Sequence, residues 1–337
     1  MGKIVGLAIV LFALVITASI SWAGPPEPDI VWPLPPEKPR IKFIRSVSTD
    51  KDVEKRTFWK KVKDTLLGKK VTIWLKKPYG VHVDKKERIL VTDTGWGKLL
   101  VFDFHNNKLS FWGTEGEGLL YKPAGVTSDS TGNIYVTDIA QNRAVVYSPE
   151  GDFLFAIGKK GRFEQPSGIA VNDELGRIYI VDTKKHHVSV FDMKGEYLFD
   201  IGKRGTGDGE FNFPTFIAIG SEGKVHVVDT FNFRVQIFDP EGKFVFKFGT
   251  IGDMPGQFNR AKGIGIDSEG NIYVVDAAFN NVQIFNDEGQ LLLFFGKIGR
   301  GRGDLWLPAG LHIRNDLIYV ADQYNYRIDI YKFLGGD

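Results

Sequence analysis

The stretch GNIYVVDAAFNNVQIFNDEG, Gly270 to Gly289, decides the fold. Asn271 to Val275 and Asn281 to Phe285 read as two short strands, and Asp276 to Asn280 turns the chain between them. The phrase recurs as GKVHVVDTFNFRVQIFDPEG, Gly223 to Gly242, and as GNIYVTDIAQNRAVVYSPEG, Gly132 to Gly151. Aligned on its aspartate, it stands six times, at Asp93, Asp138, Asp182, Asp229, Asp276 and Asp322, with spacings of 45, 44, 47, 47 and 46 residues. A period in that range made of short strands is the signature of a propeller blade.

Each unit has the same order. A Pro-x-Gly-like start leads into an apolar strand. A polar turn, a strand ending in Val-Asp, a second turn, a third strand, a turn such as Pro-Glu-Gly and a fourth strand ending in Phe-Gly complete it. Such a sheet leaves apolar faces exposed, and six of them around an axis bury both faces of every blade. The predicted fold is therefore all-β, a six-bladed propeller of four-stranded antiparallel blades. The sixth unit ends after three strands. Arg40 to Arg45 (RIKFIR) matches the fourth-strand phrase Leu291 to Gly296, so the N-terminal strand is expected to complete the last blade and close the ring.

The recurrent aspartates read as scaffold, because Asp at a strand end accepts hydrogen bonds from the N–H groups of the turn. The start segment Pro166 to Val171, the run Gly270 to Asp276 and Asn232-Phe233-Arg234-Val235 resemble NHL repeats over about residues 78 to 334. That resemblance implies a six-bladed propeller used as a binding surface.

The parts outside the repeats divide as follows. Residues 1–23 read as a signal peptide, with Lys3, the apolar run Ile4 to Ile20 and Ser21-Trp22-Ala23 as cleavage site; an uncleaved anchor is the alternative. Residues 24–39 read as a Pro-rich spacer. The propeller spans 40–337, with a clasp strand at 40–48 and a basic insertion at 49–77. In the insertion Asp50 to Leu67 has the pattern of a short helix with Phe58, Trp59, Val62 and Leu66 on one stripe. That stripe suits either packing on the rim or peripheral contact with a membrane. The 337 residues contain no cysteine, which excludes disulfides and thiolate metal sites. The expected location is exported, periplasmic or extracellular, and this argues against the nucleic-acid binding of cytoplasmic NHL relatives.

Loops alternate between the two ends of such a ring. The turns between second and third strands share one end with the links between blades, and we call this the link face. It carries Lys98, Arg143, Lys184, Lys185, Arg234 and Arg327, and its formal charge totals about +10, against about −9 for the opposite end. It also carries Trp96, Phe231, Phe233, Phe279, Tyr324 and Tyr326. Rings interleaved with bases suit stacking and charge-assisted contacts, so these twelve residues are the candidate ligand-binding set, and an acidic protein, peptide or anionic glycan is the expected partner.

Evidence for catalysis is thinner. In the similar six-bladed amidating lyases and gluconolactonase-like hydrolases, metal ligands occupy the middle of the Pro-x-Gly phrase. Here those positions hold Tyr79, Ala124, Ser167, Thr215, Lys262 and Ala309, a poor set for a hard cation or zinc. No metal and no cofactor are expected. His82 and His312 occupy matching places three residues further on, in blades that the ring makes neighbours. His82, His312, Tyr79 and Lys262 are the channel candidates for the alternative function, a lyase or hydrolase working at the channel mouth. His186 and His187 lie in a turn and read as solvated.

Overall fold

The structure, a computed structural model, describes residues 29–54, 71–159 and 161–335. Six sheets surround one axis, and five of them run outward in chain order from the innermost strand. Blade 1 comprises Pro78–Val83, Ile89–Asp93, Lys98–Asp103 and Lys108–Trp112; blade 2 comprises Pro123–Ser128, Ile134–Asp138, Arg143–Tyr147 and Phe153–Ile157. Blade 3 begins at Pro166–Asn172, blade 4 at Pro214–Ile219 and blade 5 at Ala261–Ile266. Blade 6 contributes Pro308–Arg314, Leu317–Asp322 and Arg327–Phe333, and its fourth strand is Ile41–Val47, paired antiparallel to Arg327–Phe333. The ring therefore closes through the N-terminal strand, as the sequence predicts.

One detail around that clasp goes beyond the sequence reading, and one part of the reading lies mostly outside the described residues. The stretch read as a spacer ends docked on the ring. Val31–Trp32 adds a fifth, short strand outside the clasp, and the Trp32 ring packs 5.7 Å from Phe295 and 5.8 Å from Tyr331. A large ring beside the proline run lets residues otherwise suited to a linker bury apolar surface on blade 6. The expected helix Asp50 to Leu67 falls mostly on residues 55–70, outside the described ones, and its beginning forms a 3₁₀ turn, Asp50–Asp52. Among the described residues helix is confined to that turn, Ser221–Gly223 and Thr230–Asn232.

The core consists of apolar layers between adjacent blades. Second and third strands are buried on both faces, as in Ile272–Asp276, where every residue is buried, whereas fourth strands alternate. Each aspartate at the end of a second strand is fully buried and bonded to backbone. Asp93 accepts from the N–H groups of Gly95 and Trp96 in its own turn, and from Lys76 and Lys77 in the link that leads into the innermost strand. Asp138 and Asp276 repeat this with Tyr121 and Lys122, and with Asn259 and Arg260. One carboxylate thus fastens the link to the turn at the same end of each blade, which places both on one face. Charge-assisted bonds of this kind compensate the burial of the anion.

The glycine of Pro-x-Gly has a packing reason. A Cβ at Gly125 would lie 2.4 Å from the Ser167 carbonyl oxygen, and one at Gly310 would lie 2.6 Å from that of Tyr79. Each innermost strand presses its neighbour's backbone there, and no side chain fits. Blade 4 breaks the pattern with Pro214-Thr215-Phe216, and the consequence appears at the axis.

Candidate functional site

The bases of the link face fall into two groups. Bases at or just before the head of the third strands turn inward, and they hold the links. Arg143 Nη2 donates to the Glu117 and Leu119 carbonyls at 2.8 and 3.2 Å. Arg234 is buried, pairs through Nε with Asp229 at 2.9 Å and donates to the Gly207 and Glu210 carbonyls. Arg327 does the same with Asp322, Asp329 and the Gly301 and Asp304 carbonyls. Lys98 reaches the Leu120 carbonyl, and Lys185 reaches those of Gly161 and Arg162. A four-residue turn followed by a long base places the charged head beneath the link, where carbonyls without strand partners await donors. Of the six bases expected to meet a ligand, Lys184 stays exposed, 3.9 Å from Glu164, and the other five are bound within the fold.

The aromatic set divides similarly. Trp96 is half-buried: it packs edge-on against Phe111, the Lys76 ammonium sits 3.4 Å above its face, and its Nε1 donates to the Trp74 carbonyl. Phe233 packs on the layer between blades 4 and 5, and Phe279 is half-buried. Phe231, Tyr324 and Tyr326 remain exposed. Trp74, Tyr121, Ile251, Met254 and Ile298 are exposed as well; they lie before the innermost strands or within the links, positions that strand-and-turn periodicity does not single out.

At the axis the four channel candidates separate into two pairs. Tyr79 of blade 1 stacks on Phe216 of blade 4, centroids 5.5 Å apart and planes 28° apart. Blades 1 and 4 stand opposite each other in a ring of six, so this stack spans the axis and plugs the link-face end of the channel. Phe216 escaped the sequence reading, although its signal, a bulky residue where the other blades have glycine, was present. Lys262 lies beside the plug, its ammonium 5.4 Å from the Tyr79 ring. Burial, followed by the like charges of Arg260 and Lys77, lowers its pKa to about 8. Burial raises the Tyr79 phenol to about 12.

Behind the plug lies a cavity of about 260 Å³, lined by Phe216, His82, His312, Ser128 and mostly small or aliphatic residues of the innermost strands; Tyr79 and Lys262 do not line it. The His82 and His312 rings meet at 4.1 Å, as their matching positions implied. His82 Nε2 lies 2.8 Å from Ser128 Oγ, while His312 Nε2 is buried without a partner. Burial and the nearby Arg314 lower His312 to about 4, and burial, His312 and Arg314 hold His82 well below its ordinary value. Both rings are neutral at pH 7. Ser128 is a contact that sequence spacing did not reveal, since it joins one blade to the next. His186, read as solvated, is buried instead and accepts the Phe213 N–H on Nδ1.

Comparison with known proteins agrees with the architecture. A family described as a 6-bladed beta-propeller matches residues 162–233 and 220–279. No curated protein is significantly similar to the chain. Among solved structures, virginiamycin B lyase from Staphylococcus aureus superimposes with a TM-score of 0.58 at 16% identity, over 77% of this chain and 96% of that one. An auxiliary nutrient binding protein from Bacteroides thetaiotaomicron gives 0.61 at 13%, over 77% and 70%. Kuenenia stuttgartiensis hydrazine synthase gives 0.56 at 11%, over 79% and 98%. At these identities the likeness is one of fold.

Proposed function

We propose that the chain is an exported, NHL-type binding propeller that presents its link face to an acidic partner, a protein, a peptide or an anionic glycan. The observation that supports this most directly is the composition of that face once the internally bonded bases are set aside. Phe231, Tyr324 and Tyr326 stand exposed on turn crests, and Trp74, Tyr121, Ile251, Met254 and Ile298 are exposed in or next to the links of the same face. Lys77, Lys122 and Arg260 are exposed among them, with no ion pair among the described residues. Apolar side chains grouped this way rarely remain open to water on one end of a molecule without a binding role. Unpaired cations around them favour a negative partner and give the complex a salt-dependent association rate.

The test uses residues that do not hold the fold. Cross-linked extracts of the envelope fraction would be probed with wild type, with Lys77→Glu/Lys122→Glu/Arg260→Glu, and with Phe231→Ser/Tyr324→Ser/Tyr326→Ser. The reading expects a discrete partner captured by wild type and lost from both variants, with capture weakening as salt rises. Capture that survives both sets of substitutions defeats it.

A second reading, a lyase or hydrolase, finds its support in the cavity, where the Ser128–His82 bond pairs a hydroxyl with an imidazole. An unactivated ring with depressed basicity is a weak base for such work, and Tyr79 and Lys262 lie outside that cavity. Turnover of a test ester or lactone that Ser128→Ala abolishes would favour it.

A further inference from the structure

The innermost strands begin around the axial mouth, and the residues immediately before them are Lys77, Lys122, Gln165, Phe213, Arg260 and Leu307. Three are bases and none is an acid. Asp93, Asp138 and Asp276 are buried and accept the backbone N–H groups of Lys77, Lys122 and Arg260; they keep their charge, but no ion pair joins them to the three exposed side-chain heads among the described residues. Inside it sits Lys262, partly buried against the Tyr79 ring, with no carboxylate and no hydrogen-bond partner among the described residues. A half-sequestered ammonium facing like charges is costly unless something with negative charge arrives. The floor beneath it, the Tyr79–Phe216 stack, is flat and apolar, with the axial cavity on its other side.

Resting on the proposed binding role of the link face, we infer that the axial mouth is an anchoring site for a carboxylate carried by an acidic polypeptide segment, with Lys262 as its ion partner and Lys77, Lys122 and Arg260 as the surrounding funnel. We commit to polypeptide rather than glycan because the links on the same face expose Ile251, Met254 and Ile298, aliphatic or thioether side chains suited to apolar side chains and unable to hydrogen-bond sugar hydroxyls. The site also couples binding to protons. The groups that face Lys262 are Arg260, Lys77 and Tyr79, and none supplies a negative charge near neutrality. A docked carboxylate supplies it, and the lysine takes up a proton from solvent as it becomes fully charged.

The probe is a capped synthetic peptide of alternating glutamate and leucine, titrated into the full-length mature protein by calorimetry at pH 8 in two buffers of different ionisation enthalpy. Wild type is expected to take up about half a proton per peptide bound, because Lys262 is half-protonated there in the free protein. Lys262→Met is expected to bind at least tenfold more weakly with no proton uptake. Binding of a polyuronate but not of the peptide overturns the polypeptide assignment. Equal affinity and equal proton uptake in wild type and Lys262→Met overturn the anchor itself. Lys184→Glu, a change remote from the axis on the same face, separates the two levels: if it abolishes peptide binding while Lys262→Met does not, the face binds acids but the mouth is not where it does so. Failure of every variant and of wild type to bind defeats both.

Discussion

Replacing Lys262 by methionine isolates the energetic cost of holding a lysine at the plug. In the folded protein its pKa lies near 8, against an ordinary value of 10.5. A depressed lysine pKa means that the unfolded chain binds the proton more tightly. Below pH 8 both states are protonated and the full penalty is present. Between pH 8 and 10.5 the unfolded state holds more proton, so stability rises with pH; above 10.5 the penalty is gone. Its size follows from the shift, at most about 3 kcal/mol, since water at the mouth screens part of it. Methionine is likewise unbranched, one atom shorter, and removes the charge. Urea unfolding of wild type and Lys262→Met at half-unit steps from pH 7 to 10.5 should therefore show the variant gaining most at pH 7. The difference should shrink by roughly 1 kcal/mol per pH unit above pH 8. Taking the difference between the two proteins cancels the titration of every other tyrosine and lysine. A stability difference that stays flat across this range would refute the reasoning, because it would mean that Lys262 is hydrated and titrates normally.

Arg234→Ala leaves the buried Asp229 carboxylate without its ion partner and should cost about 3–5 kcal/mol, whereas Lys184→Ala should stay within about 0.5 kcal/mol; equal losses in chemical denaturation would contradict the division between fastening and free bases. Gly125→Ala drives a methyl into the Ser167 carbonyl and should cost about 1–3 kcal/mol, read as a lowered Tm, while an unchanged Tm would show that the innermost strands can part. His312 should not titrate in NMR spectra above about pH 5, and its burial as a neutral ring removes stability as pH falls from its ordinary value of 6.5 to about 4, where the unfolded chain holds the extra proton; a ring midpoint near 6.5 would contradict that burial.

Much of this molecule was legible in the one dimension of its sequence, and the parts that were share a cause. The period between Asp93 and Asp322, the truncated sixth unit and its missing strand at Arg40 to Arg45 are local patterns repeated. Repetition multiplies a weak signal, and closing a ring leaves few alternatives for an unpaired strand. The pairing of Ile41–Val47 with Arg327–Phe333 and the meeting of His82 with His312 followed from counting alone. The position of each turn on the link face followed too, since antiparallel strands alternate ends. Tertiary structure decided what each side chain does once it is there. Arg234 and Lys184 are both bases in equivalent turns, yet one lies under a link holding carbonyls and the other points to water. That outcome depends on which acceptors the neighbouring segment leaves unpaired. Likewise Tyr79 and Phe216 lie 137 positions apart and meet only because blades 1 and 4 face each other across a narrow axis. A repeat dictates where the wedges stand through short-range hydrogen bonding and periodic burial, whereas the use of a long side chain is settled by contacts between wedges, which no single copy of the repeat contains.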